Sequence, residues 1–164
     1  MKTIPLTQGK FALVDDADFE ELSKHRWCAA KDHCYNRWYA CRAEKINGQY
    51  KTIKMHRLIM NTPKGMHTDH INHDGLDNRR INLRVCTNQQ NLFNHQKRQN
   101  CSSKYKGVIW EVNKWTARIK YNNKSTRLGH FDNEIDAARA YDENAKRLYG
   151  EYASVNFPQK SKVG

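Results

Sequence analysis

The chain of 164 residues contains no C-x-x-C pair, and its cysteines are odd in number: Cys28, Cys34, Cys41, Cys86 and Cys101. That pattern indicates neither a zinc knuckle nor a disulfide framework, and it suits a reducing compartment. Also missing is any stretch approaching the about 20 apolar residues of a membrane span, and the N-terminal MKTIPLTQGK has no signal-peptide core. The expectation is a soluble, cytoplasmic protein with no membrane partner. RNP and KH signals are absent, which removes the support for an RNA-binding module. Negative charge is scarce, with 29 Lys and Arg against 17 Asp and Glu, a net charge of +12 and a pI near 9.6. Such an excess favours a polyanion. The length accommodates two small modules but not one large-cored enzyme.

The charge is unevenly spread. Residues 22–100 carry fifteen Lys or Arg and five Asp or Glu, whereas the acidic run 15–21 lies apart, as a solvated loop and short helix. Inside the basic portion, residues 66–94 read MHTDHINHDGLDNRRINLRVCTNQQNLFN. Thr87-Asn88-Gln89-Gln90 has the form of a capping box, so a helix is expected to start there with Asn91 in its first turn. Asp74-Gly75 and Asp77-Asn78 are turn formers lying between two short strands.

This stretch resembles the HNH endonucleases, particularly those of phage and mobile-intron origin, whose ββα-metal (His-Me finger) module joins two strands to a helix over one divalent ion. Asp69 and His70 match the end of the first strand, Asn82 the middle position and Asn91 the helix-borne last position. The resemblance implies that Asp69 and Asn91 are metal ligands, that His70 is the general base and that Asn82 braces the loop carrying it. The chemistry is coherent. A carboxylate and an amide oxygen suit hard Mg²⁺ or Mn²⁺, and a neutral imidazole suits deprotonation of water. His70 is expected to titrate near neutrality. Several relatives end the motif in His where this chain has Asn91. His67 and His73 flank the base at intervals of three, but on a strand and loop that spacing does not converge on zinc. Asn94 and His95 are candidates for contacts behind the metal ligands. Arg79, Arg80 and Arg84 flank the motif and suit phosphates.

Before this region, residues 11–14 read as a strand and 18–24 as a short helix. Residues 40–46 and 50–55 read as a hairpin closed by Asn47-Gly48, the dipeptide of a type I′ turn. Trp27, Trp38 and Tyr39 suit core packing, with base stacking as the alternative. Residues 55–60, MHRLIM, resemble the helical lead-in of phage HNH proteins. Residues 96–102 form a polar, basic connector, either flexible or lying along the phosphate backbone.

Residues 103–158 alternate as strands over 108–111 and 115–121, turn at Asn122-Asn123 and form a third strand at 126–128. Asp132 is placed to cap a helix ending near Tyr149 and Gly150, with an apolar stripe of Ile135, Ala138, Tyr141, Ala145 and Leu148. Period two assigns Trp115, Ala117 and Ile119 to the helix side and Thr116, Arg118 and Lys120 to the other. Trp110 is expected in the core. The segment resembles the plant ethylene-response-factor (APETALA-type) DNA-binding domain, which lays its sheet in the major groove. That resemblance implies DNA contacts from Lys106, Thr116, Arg118, Lys120 and Arg127. Ile109, Glu111 and Ser125 stand where plant members often carry Arg.

The expected fold class is α+β, a ββα-metal nuclease module followed by a three-stranded antiparallel sheet packed on one helix. The organisation expected is 1–95 nuclease with a β-rich extension, 96–102 linker, 103–158 DNA-binding domain and 159–164 tail. Together these imply a site-specific homing endonuclease acting on double-stranded DNA with one Mg²⁺ or Mn²⁺ and no small-molecule cofactor. A phage-borne gene would place it in the host cytoplasm. The alternative is a sequence-specific DNA-binding regulator with a decayed nuclease, against which the intact Asp69, His70, Asn82 and Asn91 stand.

Overall fold

The computed structural model describes residues 1–32, 36–97 and 101–158. Cys34, linker positions 98–100 and the tail at 159–164 lie outside the described residues. The chain divides into two compact units, Met1–Asn91 and Leu92–Gly164.

In the first unit, β1 (Lys2–Pro5) pairs antiparallel with β2 (Phe11–Val14). The alternation expected of residues 11–14 is present, with Ala12 and Val14 fully buried and Phe11 exposed. Helix α1 (Asp16–Ser23) starts two residues before the expected Asp18, with Asp16 and Asp18 in its first turn where the helix dipole favours negative charge. A second sheet has the order β3-β4-β5, formed by β3 (Cys28–Asp32), β4 (Arg37–Ile46) and β5 (Gln49–Lys54). The β4–β5 turn has φ of 50° at Asn47 and 80° at Gly48, the left-handed pair a type I′ turn requires. Strand β3 was not expected from sequence. Its CAAKD composition has poor strand propensity, and the antiparallel register with β4 supplies what propensity does not. Trp27 is core: it is 3% exposed, and its indole Nε1 donates to Leu22 O at 2.8 Å.

Helix α2 (Met55–Ile59) follows β5 directly and buries Met55, His56 and Ile59. Strands β6 (His67–His70) and β7 (Leu83–Cys86) then pair antiparallel, with Asp69 opposite Arg84 and His70 opposite Leu83, and α3 (Asn88–Asn94) follows. The connection between β6 and β7 is held from two sides. Leu13 of β2 donates its N–H to Leu76 O and accepts from Asn78 N–H, both at 2.8 Å. Gly75 lies so close to β4 that a Cβ there would stand 2.3 Å from Trp38 O and 2.6 Å from the Tyr39 ring. Only glycine permits that approach.

The second unit contains a three-stranded antiparallel sheet of order β10-β9-β8, made by β8 (Val108–Glu111), β9 (Lys114–Tyr121) and β10 (Lys124–Phe131). It packs on α4 (Glu134–Tyr149) through Val108, Ala117 and Ile119 against Ala137, Ala138, Tyr141 and Ala145. The fold is thus α+β, with the sheet-on-helix arrangement expected from sequence.

Three local expectations are corrected. The helix cap is Asn133, whose side-chain oxygen accepts from Asp136 N–H at 2.8 Å, and not Asp132. Ile135 is 46% exposed, so the apolar stripe runs through Ala137 and Tyr149 instead. Trp110 is 48% exposed rather than core, packing edge-on against Trp115 with ring centroids 4.8 Å apart.

Candidate functional site

In the ββα arrangement of β6, β7 and α3, Asp69 and His70 end β6, Asn82 closes the turn just before β7, and Asn91 lies on α3. Its helix is nucleated as the sequence suggested. Thr87 N–H donates to Gln90 Oε1 at 2.8 Å, and Gln90 N–H donates to Thr87 Oγ1 at 3.2 Å, a reciprocal capping box. Asn91 N–H bonds to Thr87 O at 3.0 Å, placing Asn91 in the first turn.

His70 closes β6 and is 5% exposed. Burial pushes its pKa below the ordinary imidazole range, against the opposing pull of Asn78 and nearby carboxylates, so the ring does not keep the near-neutral titration expected from sequence and the fold favours its neutral form. Its Nε2 lies 3.3 Å from Asn78 Oδ1. Two other rings pack on it: His56 of α2, nearly perpendicular at a centroid distance of 4.9 Å, and Tyr39 of β4, tilted at 5.8 Å. His56 is itself 5% exposed, its Nδ1 has no hydrogen-bond partner, and burial with the neighbouring His70 lowers its pKa to about 2. Asn78, His56 and Tyr39 were not singled out for this site from sequence. No local signal marks them, because each arrives from a separate part of the chain.

Asn82 is buried and bonded on both sides of its amide. Its Oδ1 accepts from Asn72 N–H at 2.9 Å and its Nδ2 donates to Asp77 O at 2.7 Å. It therefore ties together the two ends of the loop that follows His70. Asp69, 6% exposed, accepts from Arg84 Nε and Nη2. In donor chemistry Asp69 and Asn91 fit a hard divalent cation: one buried carboxylate oxygen donor on β6 and one amide oxygen donor on α3. Among the described residues there is no cluster of three or more His, Cys, Asp or Glu side chains suited to a metal.

The three flanking arginines all hold carboxylates. Arg79 bonds Asp77 at 2.8 and 2.7 Å, Arg80 bonds Asp18 at 2.9 and 2.7 Å, and Arg84 bonds Asp69. Arg80 is the most accessible of them, with 54% of its side chain exposed.

On the sheet of the second unit, Arg118 and Arg127 share a face with Glu111, which they bracket at 2.8 and 3.3 Å. Lys120 is exposed on that strand. Thr116 is fully buried, its hydroxyl 2.9 Å from His130 Nδ1. Buried in this way, Thr116 presents no surface to a DNA groove. Lys106 is half-buried and donates to Phe93 O at 2.7 Å, and burial draws its ammonium pKa down to about 8.

Comparison with known proteins agrees with this geometry. The family model described as HNH endonuclease matches residues 61–93. An uncharacterised HNH endonuclease of Acanthamoeba polyphaga mimivirus is 30% identical over 157 residues, covering 91% of this chain and 76% of that protein. The chain belongs to the HNH endonuclease family. A further segment is similar to plant AP2/ERF DNA-binding domains. The dehydration-responsive element-binding protein 2E of Oryza sativa is 48% identical over 63 residues, and the AP2/ERF and B3 domain-containing transcription repressor TEM1 of Arabidopsis thaliana is 38% identical over 80. These matches span 37% and 48% of this chain but only 20% and 22% of the plant proteins. Among the described residues, no helix is long and apolar enough to cross a membrane.

Proposed function

We propose that this protein is a site-specific, divalent-metal-dependent DNA endonuclease of the homing type, with His70 as general base. The observation that carries the reading is the placement of His70: a buried imidazole at the end of β6, with its following loop tied down by Asn82. A neutral imidazole accepts a proton from water, and the resulting hydroxide attacks the phosphodiester phosphorus as the P–O bond to the departing oxygen breaks. Asp69 and Asn91 would hold the metal. When bound, Mg²⁺ or Mn²⁺ supplies charge stabilisation at the phosphate and the departing oxygen.

Around that centre the chain's own residues do the rest. Asn82 keeps the loop from shifting the base, Tyr39 and His56 wall the ring, and Arg84 balances the charge of Asp69. The sheet face carrying Arg118, Lys120 and Arg127 is the proposed reader of double-stranded DNA, since side chains on an exposed sheet reach base edges in the major groove. Under this assignment Lys106 and Thr116 support the interface from behind.

The test is incubation of the full chain with phage or host genomic DNA and Mg²⁺, with EDTA as control, followed by mapping of new 5′ ends. Discrete ends that vanish with EDTA are expected. Specific binding with no metal-dependent ends would instead make the protein a DNA-binding regulator.

A further inference from the structure

We infer that Asn78 is the positioning residue for His70, holding its imidazole in the Nε2–H tautomer so that Nδ1 is the nitrogen that acts as base. The catalytic half of this inference rests on the assignment of His70 as base made above; the tautomer itself does not.

Asn78 is placed with little freedom. It is fully buried, and its backbone N–H is fixed to Leu13 O of β2 at 2.8 Å. Its side-chain Nδ2 donates to Leu76 O at 3.2 Å. A carbonyl oxygen accepts and cannot donate, so the NH₂ end of the amide must face Leu76 and the oxygen end must face His70. That settles the orientation of an amide whose two ends are otherwise hard to tell apart. Oδ1 lies 3.3 Å from His70 Nε2, slightly longer than an ordinary N–H···O bond. An amide oxygen offers no proton, so the proton in this contact belongs to Nε2. A neutral imidazole carries one N–H, which leaves the lone pair on Nδ1.

The surroundings oppose the alternative of a flipped ring. His56 stands at 82° to the His70 plane with centroids 4.9 Å apart, and Tyr39 lies at 52° and 5.8 Å. Rotating the ring to exchange its nitrogens would have to pass both of these walls and would leave the buried Asn78 oxygen without its donor. The same logic operates wherever a hydrogen bond at one imidazole nitrogen determines the chemistry of the other.

The first experiment reads the tautomer directly in the full chain. Long-range ¹H–¹⁵N correlation spectra, with His70 assigned by its loss in His70→Ala, are expected to show a pyrrole-like Nε2 and a pyridine-like Nδ1. The reverse pattern overturns the inference whether or not the protein cleaves DNA. The second reads the rate. Asn78→Leu is expected to lower kcat for DNA cleavage by about 10- to 100-fold with KM unchanged, the range for losing such a supporting partner. Asn78→Asp keeps an acceptor for Nε2–H and is expected to recover most of that loss. Wild-type kcat in Asn78→Leu, with a native circular dichroism spectrum, also overturns it. Should Asn78→Leu fail to fold, Asn78→Ser and the wild-type spectrum still decide. Absence of cleavage in the wild-type protein would instead strike the proposed function and leave the tautomer result standing.

Discussion

Arg84 donates both Nε and Nη2 to a single oxygen of Asp69, at 3.0 and 2.8 Å, from the position directly opposite it in the β6–β7 ladder. The two side chains are only 12% and 7% exposed, so the pair is largely withdrawn from water. Removing one partner of such a pair leaves the other charge buried and uncompensated, which costs about 3–5 kcal/mol. Arg84→Met is therefore expected to lower unfolding stability by that order in EDTA. Because a divalent cation at Asp69 would offset the same charge, Mg²⁺ is expected to restore more stability to Arg84→Met than to the wild type. Urea unfolding with and without Mg²⁺ measures both effects. Equal Mg²⁺ effects on the two proteins would show that Arg84 and the cation do not address the same carboxylate.

Loss of the base is expected to separate chemistry from binding. His70→Ala is expected to reduce cleavage by about two orders of magnitude or more, the range for losing a general base. Affinity for DNA, measured by mobility shift in Ca²⁺, is expected to stay within about twofold because His70 is buried and presents no cationic surface to phosphates. An undiminished cleavage rate would remove His70 from the mechanism.

The proposed ligands are separable from the base by their response to metal. Asp69→Ala and Asn91→Ala each delete one oxygen donor, so each is expected to raise the Mg²⁺ or Mn²⁺ concentration needed for half-maximal cleavage. Asn91→His is expected to retain activity with a shift toward softer metals, since imidazole is a softer donor than an amide oxygen. Metal titrations that coincide with wild type for both alanine variants would place the cation elsewhere.

What could be read from sequence was what is encoded locally. The Thr87 and Gln90 capping box, the Asn47-Gly48 turn and the alternation of Ala117 and Ile119 each depend on neighbours a few residues away, and all are present in the structure. The surroundings of His70 are different in kind. Tyr39 comes from β4, His56 from α2 and Asn78 from a loop pinned to β2, and their convergence is a product of tertiary packing that no spacing rule contains. Asn78 in particular has the appearance of an ordinary turn former. Thr116 illustrates a subtler limit: period two assigned its face, but not the cover that His130 provides opposite it. Trp110 failed for the converse reason, since a large apolar side chain on a strand is not obliged to point inward.

The two buried histidines predict acid sensitivity. Burial, aided by the mutual repulsion of the two rings, lowers the pKa of His56 to about 2, and burial lowers that of His70. In the unfolded chain both titrate near about 6.5. Below that pH the unfolded state binds protons that the folded state does not, so stability is fully present above about pH 6.5 and declines as pH falls toward the folded-state values. The urea midpoint is expected to drop between about pH 7.5 and pH 5, and His56→Gln is expected to flatten that drop. A wild-type midpoint independent of pH over this interval would mean that neither ring is held neutral by the fold.

Glu111 offers the sharpest probe of the sheet face, because one carboxylate brackets two of the proposed DNA-facing arginines, Arg118 at 2.8 Å and Arg127 at 3.3 Å. It opposes polyanion binding by neutralising charge, and at the same time it fixes where the guanidinium groups point. Glu111→Gln removes the first effect more completely than the second. It is expected to strengthen binding to random-sequence DNA and make the salt dependence steeper, as two cations become available to phosphates. Arg118→Ala is expected to act differently, weakening binding by about 1–3 kcal/mol and relaxing preference at one base pair if its guanidinium reads a guanine. Lys120→Ala is expected to weaken all sequences evenly and make the salt slope shallower by about one, the response of a phosphate contact. Competition of specific against random-sequence DNA across a salt series separates the three. Full selectivity in all of these variants would move sequence recognition off this sheet and onto the nuclease unit.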